Sequence, residues 1–426
     1  MVKALPPALA EARNNELRRQ QATKKNKPNI LWWSNAPWAP TGYGTQTNAV
    51  VPRLSRAGHK VAVSANYGLA GQSQMWGDVP VFPSGFQKYS QDMIYGHWQA
   101  WDSRNPGPTL LMSLYDVWVM NNVHLPKVPL LAPWVPVDHN PAPPAVAAWC
   151  RRENVYPVAM SQFGQAMLQQ ADVDALYVPH SVDTKVFHPD KRAEGRELLG
   201  ADDRFVVMMT AANKGTYPNR KAFPQNILAF AEFARRHPDA LLYLHTAMKG
   251  TGGIDLEELL AGININPEQV KFVDQFNYLL GMPDTTLASL MAGADVFLSV
   301  SLGEGFGIPV VEAQAAGTPV IVNDWTAQPE LVGDGWKTPG DPYWDIGQNA
   351  FYKMPFVGGI VEALENAYQN RQDTSTKARK FAEHYDHDVV FEQHWQPTMR
   401  KLTARLGDRL AAAGVEGGSG PGGSET

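Results

Sequence analysis

The sequence predicts an α/β protein of two Rossmann-like, doubly wound lobes facing a central cleft. Three observations carry that expectation. NILWWSNA (29–36) reads as a buried strand and leads, through a glycine-bearing stretch and a helical pattern, into a second strand, KVAVSANYG (60–68). The same alternation restarts at FVVMMTAAN (205–213). A chain of 426 residues also exceeds what one core ordinarily organises, so two domains are the default.

Composition narrows the class. The chain is 44% hydrophobic and 19% charged, as folded globular proteins are. A net charge of −5 gives no overall basic field for nucleic acid or anionic lipid, although a local basic patch stays open. Cys150 is the single cysteine, which excludes an internal disulfide and a cysteine-rich metal site and suits a cytoplasmic location. No apolar run approaches the ~18 residues that span a bilayer, so membrane contact is expected to be peripheral at most. The N-terminus lacks the continuous apolar stretch of a secretory leader. Thirteen tryptophans either fill cores or offer faces to sugar rings.

The elements follow in order. Residues 1–28 form a polar, helix-prone arm with Arg13, Arg18, Arg19, Lys24, Lys25 and Lys27, either solvated or touching a membrane surface or acidic acceptor. The first lobe, 29–190, has a glycine loop at TGYGT (41–45), after which Ala49, Val50 and Leu54 recur at helical spacing until Gly58. Strands follow at TLLMSLY (109–115), LLAPWVPVD (130–138), VYPVAMS (155–161) and ALYVPH (175–180), with helices near Pro144–Arg152 and from Gln162. The polar stretch HPDKRAEGRELLGADD (188–203) reads as a linker. The second lobe, 203–371, alternates strands ALLYLHTA, KFVDQF, DVFLSVS and TPVIVND with helices. Residues 372–413 are helical in pattern and expected to pack back towards the first lobe, and 414–426 are a Gly/Ser tail.

The most informative stretch is SLGEGFGIPVVEAQAAGTPVIVND (301–324). A strand enters a glycine loop, Pro309 suits the first position of a helix, and Gly317 and Pro319 end it. A helix start beneath such a loop presents free N–H groups and partial positive charge, a ready site for phosphate. Glu304 and Glu312 flank that start, and carboxylates accept hydrogen bonds in pairs, as vicinal hydroxyls offer them. The alternative for Glu312 is charge placement at a helix start.

Elsewhere, Lys214, Arg220 and Lys221 in NKGTYPNRK are either phosphate ligands or a solvated charge run. Gly42 and Gly44 fit a dinucleotide fingerprint in part, with Thr47 at its third glycine. Asp138 and His139 end a strand at the carboxyl edge of the first sheet, where ligands bind, as do Tyr115 and Asp116. Asp172-Val173-Asp174 reads as a turn, and His384 and His387 are not expected to bind metal.

EGFGIPVVE (304–312) resembles the E-x7-E signature of retaining GT-B glycosyltransferases of family 4. AQAAGTPVIVND and TAQPELVGDGW, with Glu330, Asp334 and Gly335, resemble that family's continuation. YVPHSVDTKVFHP resembles its passage into the second lobe, with Ser181 where glycine is usual. The resemblance implies the GT-B fold and retaining transfer of a glycosyl or hexosyl group from a nucleotide-diphosphate sugar, with no metal or other cofactor. It implies that Glu312 binds the donor ribose and Glu304 the transferred sugar, with the amides of Phe306, Gly307 and Ile308 near sugar and diphosphate. Lys221, Arg220 and Lys214 are then the diphosphate clamp, and Gly42, Tyr43 and Gly44 lie on the donor side. Asp138 or His139 would contact the sugar or orient the acceptor hydroxyl. The acceptor stays open among glycan, lipid-linked sugar, small alcohol, protein and modified DNA. An NAD(P)-dependent dehydrogenase and a non-catalytic binder of nucleotide-sugars or glycans are the competing readings.

Overall fold

The computed structural model describes residues 27–414 apart from 202, 216, 217 and 251. All but the last two residues of the basic arm, and the tail beyond Gly414, lie outside the described residues. The first lobe is built on β1 (Asn29–Ser34), β2 (Val61–Ala65), β3 (Gln74–Trp76), β4 (Val79–Phe82), β5 (Thr109–Leu114), β6 (Leu131–Val135), β7 (Val158–Ala159) and β8 (Leu176–Tyr177). They form one sheet in the order β3-β4-β2-β1-β5-β6-β7-β8, parallel except for the β3–β4 hairpin. Every residue of β1 is buried, as a parallel strand covered on both faces requires. Trp32 packs to one side with Trp134, and Trp33 to the other with Tyr115.

The second lobe is built on β9 (Phe205–Thr210), β10 (Ala240–His245), β11 (Val270–Phe272), β12 (Val296–Ser299), β13 (Val320–Asn323) and β14 (Gly335–Thr338). Their order is β11-β10-β9-β12-β13-β14, all parallel. Strand order reverses between β1 and β5 in one sheet and between β9 and β12 in the other. Crevices at such reversals are where open α/β sheets bind ligands, and the loops after β9 and β12 carry the residues described below. A separate antiparallel hairpin, β15 (Gly340–Asp345) and β16 (Ala350–Pro355), follows β14.

The polar stretch 188–203 is not an extended linker. It contains the helix Arg192–Leu199, which crosses the helix Asp284–Gly293 at Gly195. A Cβ on Gly195 would lie 1.8 Å from the Ser289 carbonyl oxygen, so only glycine lets the two backbones meet. Two of its charges are paired within the fold: Arg192 and Arg196 converge on Asp295 at 2.7 and 3.0 Å. TGYGT differs too, because the helix Gly42–Arg56 begins there, with Thr41 Oγ1 accepting from the Gly44 amide at 3.0 Å. Asp172 takes a left-handed conformation in its turn (φ 55°).

The C-terminal helices return to the first lobe. The Trp395 ring lies edge-on to Trp32 and Trp134, with centroids at 6.0 and 4.8 Å. Each such pair contributes about 0.5–1.5 kcal/mol beyond burial. Ser181, where the resemblance led one to expect glycine, has a partner of its own: its Oγ lies 2.8 Å from His387 Nδ1.

Candidate active site

The loop between β9 and the helix Phe223–Ala234 delivers Arg220 and Lys221 to the loop after β12. Arg220 Nη1 donates to Glu304 Oε2 and to the Gly303 carbonyl, both at 2.8 Å, and the Lys221 ammonium meets Glu304 Oε1. Burial alone would raise the Glu304 carboxyl, but Arg220 and then Lys221 outweigh it and hold it at about 2. Burial and the Arg220 charge lower the Lys221 ammonium despite Glu304.

The first lobe closes on this cluster through the end of β6. A Cβ on Gly303 would lie 2.1 Å from the Asp138 carbonyl oxygen, so the glycines around Glu304 let the two lobes touch backbone to backbone. Asp138 Oδ1 is 2.7 Å from His139 Nδ1, and Asp138 Oδ2 is 3.9 Å from Arg220 Nε. Burial would raise Asp138, yet the hydrogen bond from His139 and the Arg220 charge leave it below the usual carboxylate range. Asp116, at the end of β5, is raised to about 6 by burial and then by Asp138. Tyr43 packs edge-on to Tyr115 beside it, at 6.2 Å between centroids.

Two helix starts face each other across the cleft. A Cβ on Gly42 would lie 3.3 Å from Ile308 Cδ1, which opens the second-lobe helix Ile308–Ala315. Gly307, immediately before it, has φ 123°, which only glycine adopts without strain. The starts of the two helices are therefore neighbours in the cleft, and helix starts carry the partial positive charge that favours anions.

Residues 210–340 match the family model described as "Glycosyl transferases group 1". Over 158 residues the chain is 34% identical to the MMP alpha-(1->4)-mannosyltransferase of Mycolicibacterium hassiacum, covering 37% of this chain and 33% of that protein. Over 224 residues it is 28% identical to the phosphatidyl-myo-inositol mannosyltransferase of Mycobacterium tuberculosis, covering 52% of each. The chain thus matches about a third to a half of the length of these relatives. Among solved structures, the sucrose-phosphate synthase of Thermosynechococcus elongatus superposes with a TM-score of 0.66 at 17% identity, over 89% of this chain and 99% of that one. Anabaena HepE in complex with UDP-glucose does so at 0.60 and 16%, over 90% and 99%. The chain is a GT-B-fold relative of the group 1 glycosyl transferases.

Within the GT-B cleft the site residues divide. Arg220, Lys221, Glu304, Asp138 and His139 form one contact cluster, and Gly42 faces Ile308. Glu312 stands apart on the buried side of its helix, where burial and then Asp284 push its carboxyl up to about 8. The Phe306 ring turns into the core against His180 and Tyr385. Lys214 is exposed on its loop and joins no cluster among the described residues. The glycine-loop basis of the dehydrogenase alternative is absent. The fingerprint needs a tight turn directly off the strand, and here residues 35–41 intervene before the helix.

Two residues at the site were not anticipated. Asp345 Oδ2 lies 3.2 Å from His139 Nε2, and the Tyr352 ring stacks on the imidazole at 3.8 Å. Their signal is a strand–turn–strand pattern, PYWD then AFYKMP around IGQN, which marks a hairpin but not its destination. Among the described residues, no group of three or more His, Cys, Asp or Glu side chains is arranged to hold a metal ion. No described helix is long and apolar enough to cross a membrane.

Proposed function

We propose that the protein transfers a glycosyl group, with retention of anomeric configuration, from a nucleotide-diphosphate sugar to an acceptor hydroxyl. The observation that carries the proposal is the convergence of Arg220, Lys221 and two helix starts on the side of the cleft where Glu304 stands. Guanidinium, ammonium and free amides are the groups that hold a diphosphate and stabilise the charge it gains on leaving. Glu312, buried and with no counter-ion among the described residues, suits the paired hydroxyls of a ribose, and Glu304 those of the transferred sugar. The matched mannosyltransferases and the UDP-glucose complex of HepE make UDP- and GDP-sugars the donors to try first.

In this reading the bond between sugar C1 and the diphosphate oxygen breaks while the acceptor oxygen bonds to C1 on the same face. The acceptor's proton passes to the departing phosphate oxygen, so no protein carboxylate forms a covalent intermediate. Arg220 and Lys221 act on the leaving group, and Asp138 and His139 border the sugar and the incoming hydroxyl.

Thermal unfolding in the presence of UDP-, GDP-, ADP- and TDP-sugars tests the proposal. One donor should raise the melting temperature, since a ligand at 100 times its Kd adds about 2.7 kcal/mol. Glu312→Ala should abolish that rise in a folded protein, and an unchanged rise refutes the site. NMR of the product then decides stereochemistry, where an inverted anomer refutes retention.

A further inference from the structure

We propose that Asp345, carried across the cleft by the second lobe, is a positioning residue for His139 of the first lobe. The inference rests on the glycosyltransferase reading above and adds to it a residue outside both large sheets. The β15–β16 hairpin belongs to the second lobe by sequence, yet its backbone pairs with the first. The Asn140 amide donates to the Phe351 carbonyl at 3.1 Å and the Phe351 amide donates to the Asn140 carbonyl at 3.0 Å. Directly opposed residues of an antiparallel pair share a face, so Tyr343 and Tyr352 lie on one side with Asp345, while Trp344 and Phe351 lie on the other.

That arrangement brackets one imidazole. His139 is 1% exposed, and its two ring nitrogens face carboxylate oxygens from different lobes: Asp138 at Nδ1 (2.7 Å) and Asp345 at Nε2 (3.2 Å). Tyr352 fixes the ring plane, stacking at 28°. With a single anchor the ring could turn over about its own axis, whereas anchors on both nitrogens allow one orientation. The orientation propagates, because Asp138 Oδ2 faces Arg220 and Arg220 binds Glu304. One chain of contacts therefore runs from Asp345 through His139, Asp138 and Arg220 to Glu304. Asp345 completes it only when the lobes are together.

Asp345 also shapes its own turn, since its Oδ1 accepts from the Gly347 amide at 2.8 Å. Asp345→Asn separates the two roles: the side-chain oxygen can still serve Gly347, but a donor-only amide nitrogen replaces the carboxylate oxygen facing His139. The probes are UDP-glucose and GDP-mannose, with donor hydrolysis as the readout. We expect Asp345→Asn to keep the wild-type melting temperature and donor KM while kcat falls roughly 10- to 100-fold, the usual cost of a misplaced group. Asp345→Glu should recover part of the loss. Ile346→Ser, at the exposed hairpin tip, should behave as wild type. If the wild type hydrolyses a donor and Asp345→Asn does so with wild-type kcat, the positioning role is overturned while the transferase reading stands. If the wild type neither binds nor hydrolyses any nucleotide-sugar, both fall together. A parallel drop in kcat and melting temperature that Asp345→Glu does not recover would make Asp345 a fold element and overturn the proposal.

Discussion

Glu304 accepts a 2.8 Å hydrogen bond from Arg220. The residue proposed to meet the sugar is thus also a counter-ion to the residues proposed to hold its diphosphate. Four expectations follow from this site and its supports.

The first concerns acid stability. Glu304 falls from an ordinary 4.5 to about 2 in the folded protein, so its contribution is fully present above about pH 4.5 and is lost as pH falls towards 2. That shift corresponds to about 3 kcal/mol. Urea unfolding of Glu304→Gln should show the deficit at pH 6 and nearly none at pH 2, and the variant should transfer no sugar. Equal deficits at both pH values contradict the assignment.

Glu312 should act in the opposite sense. Its folded value near 8 lies above its ordinary 4.5, so between those values the folded state holds a proton the unfolded chain has released. Stability should fall as pH rises through that window, by about 1.4 kcal/mol per unit at most. Glu312→Gln should flatten the fall and stabilise the ligand-free protein at pH 8 while eliminating donor binding. Ribose hydroxyls donating to Glu312 would favour its ionised form, so donor binding near pH 7 should release a proton. Calorimetry in buffers of different ionisation enthalpy measures it.

For the cations, Arg220→Ala and Lys221→Ala should each lower kcat/KM by about 10²–10³-fold, the range found for removing one donor to a developing charge. Arg220→Lys should recover only part, because an ammonium cannot reach Glu304 and the Gly303 carbonyl in the guanidinium's fixed geometry. Lys214→Ala, at an exposed position, should lose far less. Steady-state kinetics with the donor found by thermal unfolding makes the comparison.

Glu330 ties the lobes together elsewhere. Its two carboxylate oxygens accept from the Gln162 and Phe163 amides at 2.9 Å, capping a first-lobe helix from the second lobe. Glu330→Ala should cost about 1–2 kcal/mol in chemical denaturation. Amide exchange should quicken at Gln162 and Phe163 and stay unchanged in β9, and absence of a local effect would disprove the cap.

Much of the architecture was legible in the chain itself. Strands such as 29–34 and 205–210 announce themselves by continuous apolar residues, and the 304–312 motif packs loop, helix start and both glutamates into one contiguous segment. The helix at 192–199 escaped because its polar, charged sequence reads as a linker, whereas Arg192 and Arg196 pair with Asp295, about a hundred residues away. The hairpin at 340–355 escaped because alternation reports a strand without reporting its partner.

Local physics, the spacing of apolar residues and the amides left open at a helix start, therefore determined from sequence the two wound lobes and the glutamate-flanked turn. Only the tertiary structure decided that Glu304 would pair with Arg220 and Lys221, and that His139 would find Asp345 206 residues further along. Those pairings depend on how two separately folded sheets close on each other, and no local pattern encodes that distance.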